Sequence, residues 1–377
     1  MTGSISPDLP TFVPGLQLSQ AFYTEAVRPI LDWRFPGLAH SAARIDSGSD
    51  VLSFDTPRSM DHDWGPRLTL YLSEPNYQRY HAIISDALAI NLPREVHGFP
   101  TSFDATDGDP ETSVRTRVLA WTASGPVSHG VTITTASRFF VDYLGFDPTS
   151  AEPGIQDWLT TPAQLLRTIR AGRVYWDGLA EIDPARARLR WYPNDIWRYM
   201  LACQWLRIDQ EAPFVGRCGE LGDELGSRLI AARQAQEVIR LACLQEREYI
   251  PYSKWVGAAL ARLASARALQ PPLAAALAAA SWQEREAALS EAYRLVGQCQ
   301  NELRLTRSVS PSVVPFHDRP YLVPPAGEFA LALRESIQSS AVRRLPLVSA
   351  VGQFADSTDV QTHPSRCRAL LPIFDHD

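Results

Sequence analysis

Asp46–Arg67 reads DSGSDVLSFDTPRSMDHDWGPR, and its spacing decides how the first part of the chain is organised. Gly48 and Ser49 sit at a turn after a short strand within Ala43–Phe54. Eleven residues separate Ser49 from Asp61. Asp61–Leu72 begins with alternating character and continues as RLTLYL, a strand pattern interrupted by Gly65–Pro66. On a strand, Asp61 and Asp63 project from one face, with His62 and Trp64 on the other. Two converging carboxylates repel unless a cation lies between them, and Mg²⁺ takes one or two carboxylates together with phosphate oxygens. Gly48 lets a backbone approach a phosphate closely, and Ser49 adds a hydroxyl donor. These residue types describe a site for a metal-bound triphosphate, which works by positioning and charge neutralisation.

Outward from this stretch, residues 1–150 read as mixed α/β. Leu18–Trp33 and Tyr77–Ile90 have helical apolar spacing, with Pro29 expected to kink or end the first. A polar loop, Asp104–Glu111, separates these elements from the β-rich runs Val114–Thr122 and Val131–Thr135. From about 155 the texture turns helical: Trp158–Arg173, Asp195–Arg207, Gly216–Tyr249 as one long helix or two abutting ones, Lys254–Leu269 and Trp282–Leu305. After 308 the chain is proline-rich, with a short helix at Glu328–Ser339. The expected architecture is α+β. A mixed-sheet domain (1–150) precedes an α-helical bundle (151–308) and an extended tail (309–377) that packs on the domain interface.

The 377 residues suit two domains. The 42 acidic residues outnumber the 36 basic ones, a net charge of −6 that disfavours binding to long nucleic acid. The first residues carry no basic segment followed by an apolar core, and no apolar run reaches the length of a membrane span, so a cytoplasmic protein is expected. Five cysteines without CxxC spacing suit reduced, structural thiols. One basic residue is lysine, Lys254, and the other 35 are arginine.

Gly-Ser, about a dozen residues, then Asp-x-Asp resembles the signature of the polymerase-beta-like nucleotidyltransferase superfamily, which includes the antibiotic nucleotidyltransferases. The longer stretch GSDVLSFDTPRSMDHDWGPR is similar to an uncharacterised bacterial nucleotidyltransferase-like family. That likeness continues through WRYMLACQWLRIDQEAPFVGR, GELGDELGSRL, YIPYSKW and PFHDRPY. The resemblance implies a nucleotidyltransferase-like sheet domain in which Gly48 and Ser49 cradle phosphate. Asp61 and Asp63 hold the metal, Mg²⁺ or Mn²⁺, and the substrate is a nucleoside triphosphate, ATP being the expected one. It also implies a third carboxylate on the strand within HGVTITTASRFF, at Thr132 or Thr134, where no acid stands. Glu220, Asp223, Glu224 and Asp104 are the candidates to replace it. In two-domain members a helical-domain lysine reaches the triphosphate, which places Tyr252, Ser253 and Lys254 at the β- and γ-phosphates across an interdomain cleft.

The implied reaction transfers a nucleoside monophosphate to a hydroxyl of a small-molecule acceptor. Arg217, Glu220 and Asp223 are its candidate contacts, and an oligomer is compatible with the chain. The alternative is a degenerate relative that binds nucleotide or protein without turnover; modification of a protein or of tRNA ends is a third. Blander assignments stand beside each. Asp61-x-Asp63-x-Gly65 resembles the start of a calcium loop, but its twelfth position is Leu72. The aspartates also suit a solvated turn, and His62 and Trp64 suit packing. Gly219, Gly222 and Gly226 imply close approach of either a neighbouring element or a ligand.

Overall fold

A computed structural model describes residues 10–105 and 116–375. Their contacts define two compact units. One holds residues up to Pro153 with Thr168–Arg190, the other Gly154–Arg167 with the chain from Trp191 onward.

The first unit opens with a continuous helical run. Gly15–Ala21 (α1) is α-helical, Phe22–Val27 is π-helical and Arg28–Arg34 (α2) is α-helical again. Pro29 therefore does not end the helix. Proline lacks an N–H and crowds the preceding turn; the wider π turn just before it removes the need for the missing bond. Next come β1 (His40–Arg44), β2 (Arg67–Leu72), α3 (Glu74–Asn91), two short hairpins of β3 (Glu95–Val96) with β4 (Phe99–Pro100) and β5 (Ser102–Ala105) with β6 (Arg117–Ala120), then β7 (Gly130–Thr134) and α4 (Ala136–Leu144). Of the polar loop read at Asp104–Glu111, Asp104 and Ala105 belong to β5 and the remainder lies outside the described residues.

The sheet has the order β7-β2-β1-β8, where β8 is Arg173–Asp177. β1 runs antiparallel to β2 and β8, and β2 parallel to β7, a pairing that needs a crossover such as the one containing α3. β8 explains why the boundary expected at 150 is crossed. Trp158–Arg173 is not one helix but α5 (Ile155–Thr160) and α6 (Ala163–Ala171), after which the chain supplies the sheet's edge strand. Helix α7 (Ile182–Arg188) follows β8.

Alternation along β2 sorts its side chains. Leu68, Leu70 and Leu72 bury against Leu18, Phe22, Leu31, Ile84 and Leu88. Each contributes roughly 1.5–3 kcal/mol of apolar burial. Tyr71, on the other face, meets Phe139 of α4 edge-on at 5.5 Å.

This unit holds a buried histidine, His40, and a half-buried one, His129. His40 Nδ1 lies 3.0 Å from Leu38 O, which only accepts, so Nδ1 carries the proton and Nε2 accepts from Tyr23 Oη at 2.9 Å. His129 Nδ1 accepts from Val131 N at 3.2 Å. Burial holds both below the ordinary histidine value. The unfolded chain takes up these protons near pH 6.5, so the stability they confer is full above that value and is lost as pH falls toward the lower folded values. The unfolding midpoint is expected to drop between pH 7.5 and 5.5, and His40→Gln with His129→Gln to flatten that slope. Chemical denaturation at each pH measures it; equal slopes in both proteins refute the assignment.

The second unit is helical: α8 (Asn194–Glu211), α9 (Phe214–Glu220), α10 (Glu224–Gln245), α11 (Val256–Leu260), α12 (Ala266–Ala278) and α13 (Trp282–Glu302). Gly216–Tyr249 is thus two abutting helices, α9 and α10. The helix read over Lys254–Leu269 is broken, because the Glu246 carboxylate accepts from the N–H groups of Ala264 and Ser265, stopping one helix and starting α12. Buried Arg285 donates to Ser227 Oγ at 2.6 Å and pairs with Glu224 at 3.0 Å.

The region read as an extended tail carries β9 (Val314–Pro315), β10 (Leu322–Val323) and helices α14 (Ala326–Ser336), α15 (Ser340–Arg343), α16 (Val351–Phe354), α17 (Thr358–Gln361) and α18 (Pro364–Arg368). Phe329 of α14 stacks on Trp205 of α8 at 4.4 Å. Its prolines punctuate short elements that complete this unit's core. No helix among the described residues is long and apolar enough to cross a membrane.

Candidate functional site

The loop joining β1 to β2 carries Gly48, Ser49, Asp61 and Asp63, and a buried ion pair anchors it. Arg44, the last residue of β1, donates Nε and Nη2 to the two oxygens of Asp50 at 3.0 and 3.2 Å. Its Nη2 also reaches Ser47 O at 2.9 Å, and its Nη1 pairs with Asp46. Arg44 and Asp50 are 2% and 1% exposed. Sequence reading missed this clasp, although Asp50 adjoins the Gly-Ser pair. Gly48 is required by it: a Cβ there would fall on Asp50 Oδ1 and lie 2.7 Å from Arg44 Nη2. Ser49 is half-buried in the turn, its carbonyl accepting from Phe54 N at 2.9 Å.

Asp61 and Asp63 are not on a strand. Asp61 ends a 3₁₀ turn, Pro57–Asp61, and β2 begins only at Arg67. Pro57 and Gly65–Pro66 deny this segment ladder hydrogen bonds. Asp63 sits in the left-handed region at φ 45°, a conformation aspartate tolerates. Its N–H donates to Arg117 O at 2.7 Å and its Oδ1 accepts from Arg117 N at 3.1 Å, tying the loop to β6. Asp61 is more than half exposed and lies 2.9 Å from His62 Nδ1. Trp64 is buried, its Nε1 donating to Asp55, which also accepts from Gly15 N. Trp64 is a packing residue, as its apolar neighbours require, and His62 is exposed.

Two carboxylates fit Mg²⁺ by type, since that ion completes its shell with water and substrate phosphates. The described residues do not gather three or more His, Cys, Asp or Glu side chains around a common metal position. On β7, Thr132 pairs with Thr69 and Thr134 with Tyr71, so the strand beside β2 brings no acid. Of the four replacements considered, only Asp104 shares a unit with Asp61 and Asp63. It faces Val118 one rung from Arg117, whose N–H Asp63 holds.

The remaining candidates belong to the second unit. Tyr252 and Ser253 line a small cavity of about 20 Å³ with Gln164, Arg240 and Asp356. Tyr252 N donates to Gln164 Oε1 at 3.0 Å. Lys254 is exposed, its Nζ 4.9 Å from the centre of the Trp255 ring. Arg217 and Glu220 are exposed on α9, and Asp223 caps α10 by accepting from Gly226 N at 2.8 Å. The glycines here serve packing at two positions: a Cβ on Gly219 would enter the Trp282 ring and one on Gly216 would meet Tyr321 at 2.6 Å. Cys203, Cys243 and Cys367 are buried, with burial raising their thiols well above the reactive range.

Residues 158–256 match the family model of a domain of unknown function, DUF4037, which spans well under half of the chain. None of the curated proteins matches the chain. A solved structure with partial likeness is a nucleotidyltransferase-like protein from Exiguobacterium sibiricum 255-15. It shares 10% identity over 78% of this chain and 82% of that one, with a TM-score of 0.32, a level at which neither fold nor function is carried across.

Proposed function

We propose that the chain is a nucleotidyltransferase that transfers a nucleoside monophosphate from a Mg²⁺-nucleoside triphosphate to a hydroxyl of a small-molecule acceptor. The observation that carries this is the single loop between β1 and β2 that presents Gly48, Ser49, Asp61 and Asp63 on a rigid ion-paired base. The acceptor oxygen bonds to the α-phosphorus, the bond from that phosphorus to the bridging oxygen breaks, and pyrophosphate leaves while the hydroxyl proton passes to a base. Asp61 and Asp63 would hold Mg²⁺ or Mn²⁺, which when bound neutralises charge on the phosphates. Gly48 and Ser49 orient the triphosphate, and ATP is the nucleotide to try first. Arg217, Glu220 and Asp223 are offered as acceptor contacts, suited to a cationic or polyhydroxylated molecule.

Lys254 is assigned to the phosphate tail with Tyr252 and Ser253, because an ammonium on a flexible stem suits a point contact with phosphate. Lys254→Ala is expected to weaken nucleoside triphosphate binding about tenfold. Titration calorimetry reads this directly, and unchanged affinity removes Lys254 from the site.

A nucleotide- or protein-binding module without turnover is the second reading. The threonines at 132 and 134, where a third carboxylate is expected, favour it. Pyrophosphate release from labelled triphosphates with Mg²⁺ separates the two: steady release supports the enzyme, and tight binding with none across sugar, amine and polyol acceptors supports the binding module.

A further inference from the structure

Arg44 and Arg67 leave adjacent antiparallel strands at the same end of the sheet, and both side chains are largely buried, 2% and 15% exposed. They are satisfied very differently. Arg44 closes its Nε–Nη2 edge on the two oxygens of Asp50. The same edge of Arg67, Nε and Nη2, is buried with no hydrogen-bond acceptor among the described residues. Asp50 Oδ1 is 4.0 Å from its Nη2 and Asp63 Oδ1 3.9 Å from its Nη1, near enough to attract and too far to accept a bond. Burying donors without acceptors is costly, and burial with the neighbouring Arg44 charge pulls Arg67 down to about 9 despite both aspartates.

The acids nearby are already engaged: Asp50 by Arg44, Asp63 by Arg117 N, Asp55 by Gly15 N and Trp64. None of the described residues supplies an acceptor for that edge, which leaves it open to one brought by a ligand. The planar fork of a guanidinium is matched by two oxygens of one phosphoryl group. We propose that Arg67 is a phosphate-binding residue whose Nε–Nη2 edge takes a phosphoryl group of a polyphosphate beside the Asp61–Asp63 loop. The choice of a polyphosphate rests on the function proposed above; the need for an oxyanion rests on Arg67 itself.

The test uses the full chain and inorganic pyrophosphate with a chelator present, so that no metal contributes. The wild type binds. Arg67→Lys, which keeps charge and stem but loses the fork, binds about tenfold more weakly, and Arg67→Gln more weakly still. Absence of binding by the wild type at millimolar pyrophosphate overturns the proposal, as does an affinity indifferent to both Arg67 variants. If Arg67→Gln loses cooperative unfolding, Arg67→Lys decides alone. The two proposals fail separately. Arg67-dependent pyrophosphate binding without pyrophosphate release from any triphosphate removes the transferase and keeps this site. Release accompanied by Arg67-independent binding removes this site and keeps the transferase.

Discussion

Asp61→Asn and Asp63→Asn are each expected to lower the rate of pyrophosphate release from a Mg²⁺-nucleoside triphosphate about a thousandfold, ~4 kcal/mol of transition-state stabilisation. Both substitutions keep the side chain's shape and remove its charge. Asp61 is exposed, so its replacement leaves packing intact. Asp63 Oδ1 accepts from Arg117 N, and an amide oxygen serves equally; asparagine also tolerates the φ of 45°. A loss of rate in a variant with an unchanged unfolding midpoint therefore reports the missing charge and not a damaged loop. Single-turnover measurements at saturating triphosphate are the check. Release that survives both substitutions means these carboxylates do not hold the metal.

The second large effect concerns stability. Asp50→Ala is expected to destabilise the first unit by about 3 kcal/mol, because it strands most of a buried guanidinium charge. The Nε–Nη2 edge of Arg44 loses both of its acceptors on Asp50, while Asp46 and Ser47 O retain part of the charge. Pairing Asp50→Ala with Arg44→Met is expected to recover most of the loss, since the cost lies in the unpaired ion and not in the removed contact. Equilibrium urea unfolding of the three variants measures both numbers. If Asp50→Ala alone is neutral, the clasp does not anchor the loop.

The helices were legible because burial on one face imposes a 3.6-residue apolar period, as in Tyr77–Ile90, which lies within α3. β2 was legible from RLTLYL for the same reason at period two. The Asp61–Asp63 pair was visible as chemistry but misplaced as geometry. Charged residues at i and i+2 imitate strand alternation, while Pro57 and Gly65–Pro66 set a 3₁₀ turn and a left-handed aspartate instead. β8 escaped because the edge strand RVYWD has no buried residue, only half-buried and exposed ones, and directly follows a helical stretch. The tail's helices are four to eleven residues long and hold their place by contacts such as Phe329 on Trp205, too short for periodicity to declare them.

By itself, then, the sequence determined the α+β class, a sheet region followed by helices, and the stretch that carries Gly48, Ser49, Asp61 and Asp63, but not that the two aspartates lie in a loop. Those are properties of local pattern and spacing, which neighbouring residues set. Only the tertiary structure decided that Arg44 consumes Asp50, that β8 returns to the sheet, and that the donor edge of Arg67 has no acceptor among the described residues. Each depends on how strands distant in sequence exclude water and bring charge together. Burial makes an ion pair or an unpaired donor energetically consequential, and burial is not written in any short segment of the chain.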